Sequence, residues 1–241
     1  MSEQNIISKY VPNFITLLSL SSGFTSIRFS LKGDWEISIY LILLATIFDF
    51  FDGWFARKLK SGSSFGAELD SLSDFVSFGV APSFLIYLWS TNTLGSLGWG
   101  ATLFFVICSA LRLARFTTDI YITNKPIDNN AYFTGVPSPA AAGLILIPLF
   151  IFFEFQLVFF KNEYFNLITT VVIGFMMISN IPTISLKTLK INSKYKTWIF
   201  LIFVLFCVAL ISKIWITLIL VFGGYLISVF YTILKSTNIK S

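Results

Sequence analysis

The sequence predicts an all-α fold, a polytopic membrane helical bundle of about eight transmembrane helices with both termini cytoplasmic. Three observations lead there. Of 241 residues, 56% are hydrophobic and 12% charged, and mean hydropathy is +0.81; a soluble domain carries roughly 25% charged residues. The apolar residues gather in long runs between short polar stretches, and a helix needs about 20 such residues to cross a bilayer. The basic residues fall mostly on one side of those runs.

The polar opening MSEQNIISKYVPN leads into an apolar run without a small-residue cleavage pattern, so an uncleaved first span is expected rather than a signal peptide. It covers residues 12–31 with Pro12 at its start, and Arg28 snorkels to the interface. The second span, 37–56, carries Asp49 and Asp52 toward its far end. After the loop KLKSGSS, the third runs from 66 through Asp70 and Asp74 to 89. A fourth occupies 97–115, and the polar stretch TTDIYITNKPIDNNAYFTG separates it from a fifth that starts at Pro137, an expected place for proline. The sixth covers 165–182, the seventh 198–212 and the eighth 214–234, the last two forming a tight helical hairpin. The chain reads as one integral membrane domain, 1–241, with a six-helix core over 1–182 and the hairpin over 183–241.

With the N-terminus inside, 13 of the 17 Lys and Arg lie on the cytoplasmic side. Lys32, Lys161 and Lys213 lie on the other, and Arg28 sits within the first span. The positive-inside rule then puts both termini in the cytoplasm and requires an even number of spans. It also places all four aspartates of spans two and three at the cytoplasmic face of the cell membrane. The net charge of +5 is thus a topology signal, and no nucleic-acid partner is expected.

Histidine is absent, which excludes imidazole acid–base chemistry, imidazole metal ligands and phosphohistidine intermediates. Cys108 and Cys207 lie within apolar runs and offer neither ligand spacing nor a disulfide framework. Carboxylates remain, and in a membrane segment each costs roughly 2.5–3.5 kcal/mol on insertion scales, so each needs a partner. On a helix Asp49 and Asp52 lie about 60° apart, and Asp70 and Asp74 about 40° apart. A short loop makes the two helices antiparallel neighbours, so both acidic faces converge. Four clustered carboxylates repel one another unless cations sit among them. Hard oxygen donors suit Mg²⁺, Mn²⁺ or Ca²⁺ over zinc or copper, and a pair of such divalent ions, Mg²⁺ or Mn²⁺, suits the grip of a diphosphate. A plainer reading makes these acids a cytoplasmic rim paired with Arg57, Lys58 and Lys60; four together at this spacing favour the metal site.

Asp49, Asp52, Gly53, Ala56, Arg57, Gly66, Asp70 and Asp74 stand at the spacing D-x2-D-G-x2-A-R-x8-G-x3-D-x3-D, which resembles the signature of the CDP-alcohol phosphotransferases without a departure. The resemblance implies an enzyme that joins a CDP-linked donor to an alcohol and releases CMP. It implies metal binding by Asp49, Asp52 and Asp70, and a base role for Asp74, which is also near enough to touch a metal. It implies packing of the cytidine diphosphate against Gly53, Ala56 and Gly66, with Arg57 beside it and Asp52 facing it. It also implies a homodimer.

Four further segments, PNFITLLSLSSGF, SDFVSFGVAPSFLIY, CSALRLARF and FTGVPSPAAAG, resemble the bacterial phosphatidylserine synthases within this family, over residues 11–145 with the signature. That implies CDP-diacylglycerol as donor and L-serine as acceptor. Arg112 and Arg115 would then hold the lipid phosphate or the serine carboxylate, unless they serve as membrane anchors. Ser73 and Ser77 would line the acceptor pocket, although such hydroxyls commonly bond a helix carbonyl. Two alternatives stand beside this reading. A sister transferase would take glycerol 3-phosphate or inositol phosphate, and a divalent cation transporter would also use intramembrane acids.

Overall fold

The computed structural model describes residues 3–59, 63–122, 132–179, 182–184 and 196–238. Helix α1 (Glu3–Lys32) and α2 (Trp35–Lys58) form an antiparallel pair turned at Gly33. That turn needs φ of +81°, which glycine adopts without steric cost. Pro12 does not open the first helix as expected; α1 begins at Glu3 and runs through it. The preceding Glu, Gln and Lys are good helix formers, and a single interior proline is tolerated in membrane helices where neighbouring groups satisfy the freed carbonyl.

Helix α3 (Ser64–Trp89) is continuous but not uniform. It is α-helical over Ser64–Asp74, π-helical over Phe75–Val80 and α-helical again over Ala81–Trp89. Ser63 caps its start, accepting the Gly66 amide at 3.0 Å. A short 3₁₀ turn, Thr91–Leu94, leads to α4 (Ser96–Ile122). Helix α5 (Ser138–Phe155) follows, with Pro137 one position before its first turn. Helix α6 (Glu163–Ile178) is capped by Asn162, whose side chain accepts the Phe165 amide at 3.0 Å. Helices α7 (Lys196–Ser212) and α8 (Ile214–Asn238) are separated only by Lys213.

Among the described residues, six helices are long and apolar enough to cross a membrane: Tyr10–Lys32, Trp35–Lys58, Ser64–Trp89, Ser96–Arg115, Ser138–Phe155 and Ile214–Lys235. Helix α6, at 16 residues, and α7, at 17, are shorter. The sixth helix was expected to reach Pro182 and stops at Ile178. Ser179 turns extended, with ψ of 154°, and its hydroxyl donates to the Met176 carbonyl at 2.8 Å, the kind of side-chain bond to the backbone that competes with helix continuation. Pro182–Ile184 instead pairs antiparallel with Tyr132–Thr134, in the register Tyr132 to Ile184, Phe133 to Thr183 and Thr134 to Pro182. Among the described residues this two-stranded ribbon is a departure from the all-α expectation.

The packing that positions the site lies between α1, α2 and α3. Hydroxyls bridge these helices: Ser19 Oγ donates to the Ala45 carbonyl at 2.9 Å, Ser38 Oγ to the Ser26 carbonyl at 3.0 Å, and the Ser30 and Ser38 hydroxyls meet at 2.7 Å. Small residues let membrane helices approach closely and make such bonds reachable. The apolar core lies deeper, where Leu144, Ile145, Leu149 and Phe150 of α5 meet Ala81, Leu85 and Ile86 of α3 and Phe105 of α4.

Candidate active site

The end of α2 and the start of α3 bring the signature residues together. Asp49, Asp70 and Asp74 each place a carboxylate oxygen so that all three lie within 4.8 Å of one another. Asp49 and Asp74 are within hydrogen-bonding reach, an arrangement that requires a proton or a cation between two carboxylates. Asp52, one turn beyond Asp49, is not part of this trio. It is buried at 4% exposure and faces the adjoining groove, with electrostatic contact to Asp49 and Arg57. Asp52 Oδ2 and Asp74 Oδ1 are buried without a hydrogen-bond partner among the described residues. Buried acceptors left open beside a carboxylate trio fit hard divalent ions such as Mg²⁺ or Mn²⁺, whose ligands are oxygens.

The groove is built by three helices. Its walls are Pro12, Asn13 and Thr16 of α1, Asp52, Gly53 and Ala56 of α2, and Ser63, Gly66, Ala67 and Asp70 at the start of α3. Its free volume, open mouth included, is about 520 Å³. The glycines keep it open. A Cβ at Gly66 would lie 3.0 Å from Asn13 Oδ1 and 3.2 Å from Ser63 Oγ, and one at Gly53 would lie 3.4 Å from Arg57 Nη1. The Arg57 guanidinium therefore folds back along α2 over Gly53. The small positions and Asp52 expected around a diphosphate thus share one cavity, with Arg57 at its edge.

Sequence reasoning did not assign the α1 wall. Pro12, Asn13 and Thr16 stand at i, i+1 and i+4, one helix face, and their segment was read only for its resemblance. Ser63 and Ala67 were also unassigned, although each neighbours Gly66 on a helical turn.

The remaining candidates separate. Arg112 on α4 faces Asp74 electrostatically and donates through Nη1 to Ser138 Oγ at 2.7 Å. Arg115, three residues on, is at the surface. Ser73 and Ser77 turn toward α1 instead of an open pocket: Ser73 Oγ donates to the Thr16 carbonyl and Ser77 Oγ to the Ser19 carbonyl, each at 3.2 Å. Both side chains are buried. Their hydroxyl protons bind helix to helix, and Gly23 of α1 sits so close to Ser77 that a Cβ there would overlap it.

Comparison with known proteins bears on this arrangement. The family model for CDP-alcohol phosphatidyltransferase matches residues 9–178. The chain is 34% identical over 194 residues to a CDP-diacylglycerol–serine O-phosphatidyltransferase of Mycobacterium leprae, covering 80% of this chain and 64% of that protein. It is 34% identical over 183 residues to the enzyme of that description from Helicobacter pylori, covering 76% and 75% of the two chains. A Methanocaldococcus jannaschii protein of the same description is 40% identical over 172 residues, covering 71% and 72%. The matched span contains every signature aspartate and every wall of the groove, and the chain belongs to the CDP-alcohol phosphatidyltransferase family.

Proposed function

We propose that this chain transfers the phosphatidyl group of CDP-diacylglycerol to the hydroxyl of L-serine, giving phosphatidylserine and CMP, at the cytoplasmic face of the cell membrane. The observation that carries the reading is the convergence of Asp49, Asp70 and Asp74 beside a groove walled by Asp52, Gly53, Ala56 and Gly66. The relatives described as serine phosphatidyltransferases support the choice of acceptor.

In this reading the groove takes the cytidine diphosphate end of the donor, while the acyl chains stay in lipid beside α1 and α2. Arg57 offers a planar fork of donors to the phosphate oxygens. Asp74 accepts the proton of the serine hydroxyl as its oxygen bonds to the lipid-side phosphorus. The bond from that phosphorus to the CMP oxygen breaks with its electron pair, and CMP leaves as an anion. The proton passes from Asp74 to solvent. General-base assistance of this kind contributes about 10²–10⁴-fold. Holding both substrates together supplies orientation, because no covalent enzyme intermediate is required. Two divalent ions, Mg²⁺ or Mn²⁺, held by Asp49, Asp52, Asp70 and Asp74, would neutralise the carboxylates and stabilise charge developing on the diphosphate.

The same reading includes the topology. The basic loops lie in the cytoplasm with both termini, α6 and α7 complete a set of eight spans, and the protein works as a homodimer. The four aspartates lie six to ten residues from the ends of α2 and α3 that meet at the basic loop, and the walled groove beside them favours the transferase over a cation pathway.

The test is CMP release by the purified chain with CDP-diacylglycerol and Mg²⁺ or Mn²⁺, offered serine, glycerol 3-phosphate, inositol phosphate or no acceptor. Release with serine and a serine-containing lipid product is expected. Release only with a phosphorylated acceptor overturns the choice of alcohol, and no release from folded protein overturns the reading as a whole.

A further inference from the structure

The end of the bundle remote from the aspartates holds a second cavity. Trp89 closes α3 about 20 Å beyond Asp74, at 1.5 Å per residue. There a second 3₁₀ turn, Val158–Lys161, joins α5 to α6 and is bonded to the end of α3. The cavity between them is lined by Trp89, Ser90, Val158, Phe159, Lys161 and Glu163, among others, and its free volume, open mouth included, is about 1010 Å³. Hydrogen bonds hold its floor. Ser90 Oγ donates to the Lys161 carbonyl at 2.8 Å. The side-chain amide of Asn166 shares its protons among the Phe160 carbonyl at 2.8 Å, the Asn162 carbonyl at 2.9 Å and Ser90 Oγ at 3.1 Å.

Asn166 is 1% exposed, and its Oδ1 has no hydrogen-bond partner among the described residues. It stands three residues after Glu163 on α6, on the same helix face. The Glu163 carboxylate at the rim and the Asn166 oxygen one turn deeper thus form one acceptor-rich wall. Lys161 adds a cation, and neither it nor Glu163 has an ion-pair partner among the described residues. A ligand matched to this lining carries an anion and an ammonium close together. The apolar part of the lining faces outward: Val158 is 75% and Phe159 67% exposed, and Phe155 and Leu157 just before them are exposed as well. Such a run of exposed apolar side chains belongs in lipid. Tyr87 of α3 and Trp99 of α4, with rings 5.5 Å apart, mark an interfacial level at this end. The count of basic residues puts Lys161 on the side opposite the basic loops, where the positive-inside rule gives it no topological role.

We propose that this cavity binds the headgroup of an aminophospholipid, phosphatidylethanolamine in its simplest form, in the leaflet opposite the aspartate site. Lys161 meets the phosphate, Glu163 and the Asn166 oxygen meet the primary ammonium, and the acyl chains leave over Val158 and Phe159. In that headgroup two carbons separate the phosphate ester oxygen from the nitrogen, a spacing suited to charges two residues apart in the chain. Phosphatidylglycerol offers no ammonium to Glu163, and a choline headgroup has no N–H to donate. The site does not depend on which alcohol the aspartate cluster serves.

The experiment titrates the full-length protein, delipidated in detergent, with phosphatidylethanolamine, phosphatidylglycerol and phosphatidylcholine of identical acyl chains, and with soluble phosphoethanolamine. Native mass spectrometry reads occupancy, and the rise in Tm reads the same binding by linkage. Wild type is expected to bind phosphatidylethanolamine about fivefold tighter than the other two lipids, in line with one partly desolvated charge contact. Glu163→Gln is expected to abolish that preference. Lys161→Ala is expected to weaken phosphatidylethanolamine and phosphatidylglycerol alike by about fivefold, the worth of one basic residue at a lipid surface. Soluble phosphoethanolamine is expected to leave Tm unchanged at the lipid concentrations used. A wild type without preference, or a preference that survives Glu163→Gln, overturns the proposal. Equal binding of soluble phosphoethanolamine overturns the lipid as its source. Dimers that Phe159→Asp separates and that added lipid does not displace would give this face to a second copy of the chain and overturn it too. Should either charge variant fail to fold, the ranking of lipids by wild type still decides.

Discussion

The seam between α1 and α3 and the seam between α5 and α8 are built by opposite means. The first uses small residues: Gly23 against Ser77, with Ser73 and Ser77 bonded to the Thr16 and Ser19 carbonyls. The second uses rings: Phe150 and Phe153 against Trp215, and Phe222 over Gly143. In lipid there is no hydrophobic force to draw helices together, so each seam depends on contact and hydrogen bonding. A seam of glycine and serine fixes backbone against backbone and leaves little room for adjustment. A seam of rings fills space with groups that tilt and slide. The helices that carry the carboxylates are joined through the stiffer kind.

The largest effect expected is at the chemistry that the stiff seam supports. Asp74→Asn should abolish CMP release, a loss of at least about 10²-fold, while retaining part of the metal-dependent binding of the CDP donor. Asp49→Asn or Asp70→Asn should weaken both. Turnover assays alongside equilibrium binding of a labelled CDP donor separate these outcomes, and near-normal turnover by Asp74→Asn would end its role as base.

A smaller effect separates the two seams directly. A Cβ at Gly23 would stand 2.6 Å from Ser77 Cα and 2.7 Å from its Cβ, so Gly23→Ala should destabilise by about 1–3 kcal/mol through overpacking. Because that shift displaces the helix bearing Asp70 and Asp74, turnover should fall with it. Phe222→Leu on the ring seam should cost less than about 1.5 kcal/mol, since hydrophobic swaps of similar volume are absorbed by repacking. Thermal unfolding and CMP release of both variants make the comparison; equal losses would show that the two seams do not differ in stiffness. The smallest effect is Ser73→Ala, which removes one interhelical hydrogen bond worth on average about 0.6 kcal/mol in a membrane protein. A small drop in Tm with the KM for serine unchanged is expected; a raised serine KM would return Ser73 to the acceptor pocket.

Much of this was legible in the sequence, because the information was local. The signature spacing and the 3.6-residue period together put Asp49 and Asp52 on one helix face and Asp70 and Asp74 on another, and a short loop forced the two helices side by side. The small residues of the groove stood in the same 26-residue stretch, 49–74. The α1 wall was not legible, since Asn13 meets Gly66 across a sequence separation that no local period reports. Ser73 and Ser77 share the acidic face of α3, and only the packing of α1 shows that their protons are already used. Pro12 was read as a helix start because isolated helices disfavour interior proline, a rule that membrane packing overrides. The docking of α8 upon α5 through Trp215 and Phe222 was not legible either, since hydrophobicity alone gave α8 no register. The basic residues Lys60, Lys125, Lys187, Lys190, Lys194 and Lys240, used to set the topology, lie outside the described residues.

The π-helical segment Phe75–Val80 begins at the residue after Asp74. A π turn holds one more residue than an α turn, so the half of α3 beyond it is rotated by about 100° relative to an unbroken α-helix. In an unbroken helix the bearing of Asp70 and Asp74 would dictate which later residues face inward. Here Ser77, Phe78 and Gly79 are all buried within the segment, and Ala81, Leu85 and Ile86 are buried beyond it. The segment works as a phase slip between two halves of one rod. The outer half can drift to suit its apolar neighbours over evolutionary time, and the carboxylates keep their heading.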